Sequence, residues 1–482
     1  MTESTLENPA PSVPRSTEYV EGWGMAVGSV SPVLRPTSVD EVFDCFAQAR
    51  AAGATLGPRG GGNSYGDASV NASGWTLDIT RFNRLVDFDA ETGRTTAEPG
   101  FTIQDLWRHG VPRGFWPKVV SGTMFPTLAG AAAMNIHGKN NFAVGTIGDA
   151  ITEFDIATPA GELLTCNREQ HSDLFHAAIG GFGMLGCFTR IQLDTKRIHS
   201  GELEVRAHST ANLAEMMQII EERKGEADYL VGWIDCFPGG KASGRGLIHE
   251  ARYLNEGEDP APEKTLQLEH QELPSKIMGV FPKSQVWRCL RPFSNDLGMR
   301  LVNTTKFHMG RLEEKKKPFR QSHAAFAFLL DYVPGWKYAY GKGGLIQYQS
   351  FLPHETAHEA YQEMLDLNRS AGHVPYLGVF KRHRPDPFWL THAVDGWSFA
   401  MDFAVPYDAD GRARLWEHCH RLSEVVLGAG GKFYFAKDLV IEPQHMRRMF
   451  EPEKLEAFLG LKAQHDPEGL LSTNLWRRVF GA

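Results

Sequence analysis

Apolar residues recur along this chain with two different spacings, and the alternation of those spacings divides it into elements. In the stretch RPTSVDEVFDCFAQARAAGATLGPRGGG, Val39, Val42, Phe43 and Phe46 fall three or four positions apart, which predicts a helix with one apolar face. Ser38 followed by Glu41 predicts a capping box at its start, and the helix is expected to end near Ala51–Gly53. A short strand then runs into a glycine-rich loop. WTLDIT and LVDFDAETGRTTAEPG read as alternating strands joined by a turn. TIQDLWRHGV is a second helix begun by Thr102, and ITEFDIATPAGELLTC is a hairpin with Pro159, Ala160 and Gly161 at its tip.

From about residue 200 the texture changes. ELEVRAHS, ADYLVGWIDCF, GGLIQYQSFLP, HVPYLGVFKRHR and GWSFAMDFAVP predict strands. They are interleaved with the helical patterns TANLAEMMQIIEERKG, HEAYQEMLDLNRSAG and GRARLWEHCHRLSEVVLGAG. The polar span from Glu256 to Lys264 reads as a surface loop, and GKFYFAKDLVIEP as a strand followed by short helices. The class is α+β in two blocks. The boundary lies near 200, and the chain is expected to return to the first block near 430.

Composition narrows the possibilities. The 482 residues are 42% hydrophobic and 22% charged, which excludes a disordered or fibrous chain and suits two or three domains. A formal charge of −8 gives no support to nucleic-acid binding. Cys45, Cys166, Cys187, Cys236, Cys289 and Cys419 are scattered without a CxxC, a distribution expected in a reducing compartment. The first residues are polar and lack the apolar stretch of a signal peptide, and residues 1–15 read as a flexible tail. No apolar run approaches the ~18 residues of a membrane span. A cytoplasmic protein is expected, and no basic amphipathic helix stands out.

Four motifs carry candidate chemistry. PRGGGNSYGD places four glycines beside Arg59, Asn63 and Ser64; glycines let backbone approach a phosphate, and successive N–H groups can form an anion nest. No Gly-Lys-Ser/Thr follows, so it is not a Walker loop. GGFGMLG holds GxGxxG at Gly181, Gly183 and Gly186, but a helix precedes it and a strand follows, the reverse of a dinucleotide fingerprint. His354, Glu355 and His358 spell HExxH, yet Pro353 sets the motif at a helix start and no third ligand is evident, so a solvated helix face is the stronger reading and no metal is expected. TLAGAAAMNIHGKN sets small residues, suited to packing on a flat ring or on another helix, directly before His137, Gly138, Lys139 and Asn140. With the earlier glycine loop it suggests one long ligand with a diphosphate and a flat ring.

Taken in order, RPTSVDEV, RGGGNSYGD, GTMFPTLAGAAAMNIHGKN and GGFGMLG resemble the vanillyl-alcohol-oxidase-type (PCMH-type) FAD-binding family. NIHGKN, GLIQYQ, YLGVFK, GWSFAMDF, YFAKD and DPEGLLSTNLWRR are similar, within it, to the branch of decaprenylphosphoryl-β-D-ribose oxidases, flavoprotein halves of a 2′-epimerase. The resemblance covers the chain from about residue 20. It implies a two-domain fold: an FAD-binding domain at 16–199, an antiparallel-sheet substrate domain at 200–431, and a segment at 432–482 returning to the FAD domain. It implies FAD contacts from Arg59, Gly60, Gly61, Gly62, Asn63, Ser64 and Tyr65. It adds Gly122, Thr123, Thr127, Gly130, Asn135, Ile136, His137, Gly138 and Asn140, and places Gly181, Gly183, Gly186 and Tyr434 close to the cofactor. Many relatives tether the flavin through a histidine of the first loop; here that place is Asn63, so non-covalent FAD is expected.

The implied reaction is oxidation of a secondary alcohol by hydride transfer to flavin N5. Lys437, on an apolar strand, matches the family's active-site lysine, with His137 and Tyr65 as further catalytic candidates. Gln347, Lys381 and Ala400 match pocket positions, and Lys139 is a neighbour suited to an anionic substrate. Mycobacterial members carry cysteine where this chain has Ala400, so the pocket wall differs. A polyprenyl-phosphoryl pentose, handled at the inner face of the membrane with a partner reductase, is one implied substrate. A free sugar, polyol or aldonolactone is the alternative, and a non-catalytic flavin-binding protein a third reading.

Overall fold

The computed structural model describes residues 13–277 and 281–481. The expectation for the tail falls mostly on residues outside that range; within it, Val13 is buried and Arg15 already opens a strand, so the ordered fold begins before residue 16. The described residues hold three main sheets. A mixed four-stranded sheet runs in the order Arg15–Glu21, Gly28–Leu34, Trp75–Asp78, Leu56–Arg59. An antiparallel five-stranded sheet is built from Leu85–Phe88, Thr95–Ala97, Cys187–Leu193, Ile151–Ala157 and Leu163–Asn167. An eight-stranded antiparallel sheet carries everything central between Glu202 and Phe433.

The predicted helices at Val39–Ala51, Ile103–Gly110, Leu213–Arg223, His354–Ala371 and Ala409–Gly428 are present. Their caps differ in one instructive way. Thr102 and Asp105 close a reciprocal capping box, whereas Ser38 accepts from Glu41 N–H while the Glu41 carboxylate turns back to Thr37 N–H at 2.6 Å. The expected box at Ser38 is therefore only half formed. The Glu256–Lys264 loop is interrupted by a helical turn at Pro262–Thr265.

In the large sheet, three neighbouring strands, Leu345–Pro353, Gly396–Ala404 and Leu377–His383, decide the site. Their registers set Gln347 opposite Asp402, Gln349 opposite Ala400, and Lys381 opposite Ser398. Side chains alternate between faces, so Gln347, Gln349, Lys381, His383, Ser398 and Asp402 share one face. The other face carries Tyr348, Phe380, Trp397, Phe399 and Met401, buried with helices 354–371 and 409–428 in the main core. Both faces of these strands are buried, and one of them is polar. That polarity has to be explained by a function.

The C-terminal segment closes on the first block. Leu56 N–H donates to Leu470 O at 2.7 Å, Ser472 N–H to Leu56 O at 2.9 Å, and Tyr65 N–H to Ala436 O at 2.8 Å. Arg478 spans Asp67 and Asp438, each at 2.8 Å. The expected strand at GKFYFAKDLVIEP is only Lys432–Phe433; the chain then turns, with Lys437 N–H donating to Tyr434 O at 2.9 Å. Lys437 thus sits in a tight turn, a correction to its expected place on a strand.

Candidate functional site

The glycine loop lines a cleft, open to solvent, between the four-stranded sheet and the short helix Leu128–Ala133. Gly60, Gly61, Gly62, Asn63 and Ser64 form one wall; Thr127, Gly130, Ile136, Gly183 and Gly186 form others. A Cβ on Gly60 would lie 2.2 Å from Thr127 Oγ1, and one on Gly61 2.5 Å from Phe125 O, while Gly62 has φ of +65°. Only glycine fits there. Among the described residues, the N–H groups of Gly61, Gly62, Asn63 and Ser64 donate to no protein acceptor. Four consecutive free donors beside a cleft form a nest for an anion such as a diphosphate. The small side chains of Ala129, Gly130 and Ala133 leave a flat apolar wall next to it. The residues present fit FAD.

Arg59 lines the cleft as well and steadies the start of the loop. Its Nη1 donates to Glu21 O at 3.1 Å and to Ser69 Oγ at 3.0 Å, and burial lowers its pKa. Asn63 Nδ2 donates to Gly61 O at 3.1 Å, an amide with no nucleophilic nitrogen for a covalent tether.

Several expected cofactor residues stand elsewhere. Asn135, in the left-handed region at φ 44°, spends its side chain on Asp386 at 2.9 Å and Gly148 N–H at 3.1 Å. Asn140 donates to Lys118 O at 2.8 Å, and Gly138 is packed under it. Thr123 donates to Asp331 at 2.7 Å, and Gly122 O accepts from Leu330 N–H. Gly181 abuts Ala177 O. None of these six, nor His137 or Tyr434, lines the cleft. They hold the segments that do.

A second, much smaller cavity lies one residue along the chain from the first. Gln347, Gln349, Lys437 and Asp438 line it together with Ile346, Tyr348, Phe433, Leu439 and Val440, whereas Ala436, next to Lys437 in the chain, lines the cleft. Burial pushes the Lys437 ammonium down to about 7, with Asp402 opposing and Lys381 adding to the fall. Burial pushes the Asp402 carboxyl up to about 7; Gln347 Nε2 caps its Oδ1 at 2.5 Å, and its Oδ2 is buried without a partner. Lys381, lowered to about 8 by burial, has no hydrogen-bond partner among the described residues. The Tyr65 hydroxyl is buried and unpartnered, and burial raises its pKa well above the usual range.

His137 belongs to an aromatic group with His383, His392, Phe351 and Tyr434, at ring separations of 4.9, 5.3, 5.4 and 5.1 Å. Its Nε2 meets Gln349 Nε2 at 3.1 Å, so it accepts there and carries its proton on the unpartnered Nδ1. Burial and the nearby lysines hold it neutral. Lys139 sits apart, its ammonium given to the carbonyls of Phe326 and Ala327. The HExxH histidines lie outside the site: His354 Nδ1 accepts from Trp397 Nε1 at 3.1 Å, and His358 is exposed.

Sequence reasoning missed Asp402, Gln349, His383 and His392. For the first three the available signal was the polar residues at alternate positions of QYQ and KRH and at both ends of SFAMD, which two-sided burial makes anomalous; His392 lies outside the strands and gave no such signal.

Residues 30–167 match the family model described as an FAD binding domain. The chain carries a PCMH-type FAD-binding domain, and the relatives named below are FAD-linked oxidoreductases acting on CH–OH groups. It is 27% identical to decaprenylphosphoryl-beta-D-ribose oxidase of Mycolicibacterium smegmatis, over 97% of this chain and 98% of that one. Shorter similarities join it to L-gulono-1,4-lactone dehydrogenase of Mycobacterium tuberculosis, 28% identical over 36% of this chain and 39% of that one. With D-arabinono-1,4-lactone oxidase of Debaryomyces hansenii it is 25% identical over 34% and 31%.

Proposed function

We propose that the protein oxidises a secondary alcohol of a sugar or sugar derivative, with the hydroxyl proton taken at Lys437 Nζ. The observation that carries this reading is the adjacency at 436–437, where one residue lines the cleft of the glycine loop and the next lines the smaller cavity with Gln347 and Gln349. FAD, when bound, supplies the two-electron acceptor, taking hydride at N5. The chain holds it without a covalent link, by the amides of Gly61 to Ser64, with the wall of Ala129, Gly130 and Ala133 against its apolar parts.

In this reading residues 16–199 and 432–482 carry the cofactor, and 200–431 offer the polar sheet face to substrate. An amine held neutral near pH 7 is matched to proton removal at that pH. Asp402 offsets the charge of the ammonium that forms, Gln347 fixes Asp402, and Gln349 fixes the His137 tautomer. Lys381, half-buried and with its ammonium unpartnered among the described residues, suits a substrate with a negatively charged group, such as a polyprenyl-phosphoryl pentose. That preference is supported by similarity over nearly the full length to a decaprenylphosphoryl-ribose oxidase.

The test is anaerobic bleaching of the flavin absorbance by polyprenyl-phosphoryl pentoses, free sugars, polyols and aldonolactones. Bleaching by the lipid-linked pentose at far lower concentration than by the others is expected. Bleaching by none, or only by an aldonolactone, overturns the assignment.

A further inference from the structure

The polar face of the sheet is half of what is unusual in the substrate block; the other half is on its outside. The Asp296–Glu314 helix buries Gly298, Asn303, Phe307 and Gly310 and turns its larger apolar side chains outward. Leu297, Leu301, Met309 and Leu312 are 80, 61, 65 and 62% exposed. At about 100° per residue, Leu297, Leu301 and Leu312 fall within about 60° of one another, one stripe along the helix. The helix itself balances Arg300, Lys306 and Arg311 against Asp296, Glu313 and Glu314, so its basic character lies in its flanks.

Charge follows the same segment. Residues 276–320 contain eleven Lys and Arg against three Asp and Glu, a net +8; the whole chain carries −8, so the remainder carries −16. Among the described residues, none of the eleven forms an ion pair. Lys315, Lys316 and Lys317 continue directly from the last turn of the helix, all exposed.

We infer that this helix and its basic flank are a docking surface for the anionic face of a lipid bilayer. Exposed leucines on a helix flanked by lysines and arginines suit an interfacial helix, whose apolar side enters the headgroup boundary while cations meet anionic lipid. A symmetric pairing of two copies through this helix would set one +8 segment against another. The strand Phe319–Ser322 follows the helix on the sheet edge, and the chain then reaches Leu330 and Asp331, which bind Gly122, Thr123 and Met124. Docking stands on the surface alone; delivery of a lipid-linked substrate rests on the proposed function.

The test is co-sedimentation of the full-length flavoprotein with vesicles of phosphatidylcholine, and with vesicles of equal parts phosphatidylcholine and phosphatidylglycerol. Binding to the anionic vesicles, weakened by salt, is expected. Leu297→Glu/Leu301→Glu/Leu312→Glu and, separately, Lys315→Glu/Lys316→Glu/Lys317→Glu should each lower it at least about tenfold, with flavin spectrum and melting temperature unchanged. No binding at low salt, equal binding to both vesicles, or unaltered binding by the variants overturns the inference. So does a dimer, abolished by the leucine variant, in a protein that ignores vesicles, which would assign the face to a second copy. Sedimentation reads docking and bleaching reads oxidation, so either can fail without the other.

Discussion

The ammonium of Lys437 lies 3.5 Å from the centre of the Tyr65 ring. A cation on a ring face is favoured, but the Tyr65 side is apolar and buried, so the gain is set against loss of water. Asp402 supplies the opposing charge from the sheet. The lysine is thus held between a ring from the first block and a carboxyl from the second, and its protonation depends on both.

Lys437→Ala should keep the yellow flavin and slow anaerobic bleaching by roughly 10²–10⁴-fold, the range of a lost acid–base group. In the unaltered enzyme the neutral amine is the working form, so kcat/KM should rise with pH through about 7. Asp402→Asn removes the charge that holds this pKa up, so the midpoint should move to lower pH. An unmoved profile, measured by stopped-flow reduction, would remove Asp402 from this role.

Gly61→Ala puts a methyl 2.5 Å from Phe125 O, against backbone that cannot swing aside. The purified variant should retain at least about tenfold less FAD, an effect of about 1.4 kcal/mol or more, read from the ratio of flavin to protein absorbance. Acid precipitation of the unaltered protein should leave all flavin in the supernatant.

Lys139, Lys381 and Lys437 are lowered by burial to about 7, 8 and 7. Between those values and the ordinary lysine range the unfolded chain binds more protons, so stability rises with pH there. The gain is complete above the ordinary range and is lost as pH falls through about 7. The melting temperature of the flavin-free protein should therefore climb from pH 7 to 9.5, and Lys381→Met should flatten that climb.

Arg478 bridges Asp67 and Asp438, and Asp438 Oδ1 also accepts from Val440 and Ile441 N–H. Arg478→Met leaves two partly buried carboxylates uncompensated, at a cost on the order of 3 kcal/mol. Because Asp438 anchors the Lys437 turn, the variant should also lose oxidation rate at temperatures where it remains folded. Denaturant unfolding and single-turnover reduction check the two effects.

Elements with a local cause were legible in the sequence. The glycine loop follows from four glycines in ten residues, and the helix at Ile103–Gly110 from a threonine that caps it. Lys437 was found, but its turn was not: only Lys432–Phe433 pair with Ser350 and Phe351, and the chain then bends to meet Tyr65. The Asp296–Glu314 helix escaped because its leucines are outside and an asparagine and two glycines are inside, the inverse of the usual pattern. Asp402 escaped because one carboxylate in a strand has no meaning until Gln347 is known to stand opposite it.

The sequence by itself determined the short-range devices: the anion nest of residues 61–64, the small-residue wall that follows, the alternating strands, and the absence of a tethering histidine at Asn63. Each depends on neighbours a few residues apart, where backbone geometry dictates the outcome. Only the tertiary structure decided which polar groups meet. Strand register joined Gln347 to Asp402, and the returning C-terminal segment brought Lys437 over Tyr65, 372 positions away in sequence. Contacts of that range are fixed by the packing of whole sheets, which no local pattern encodes.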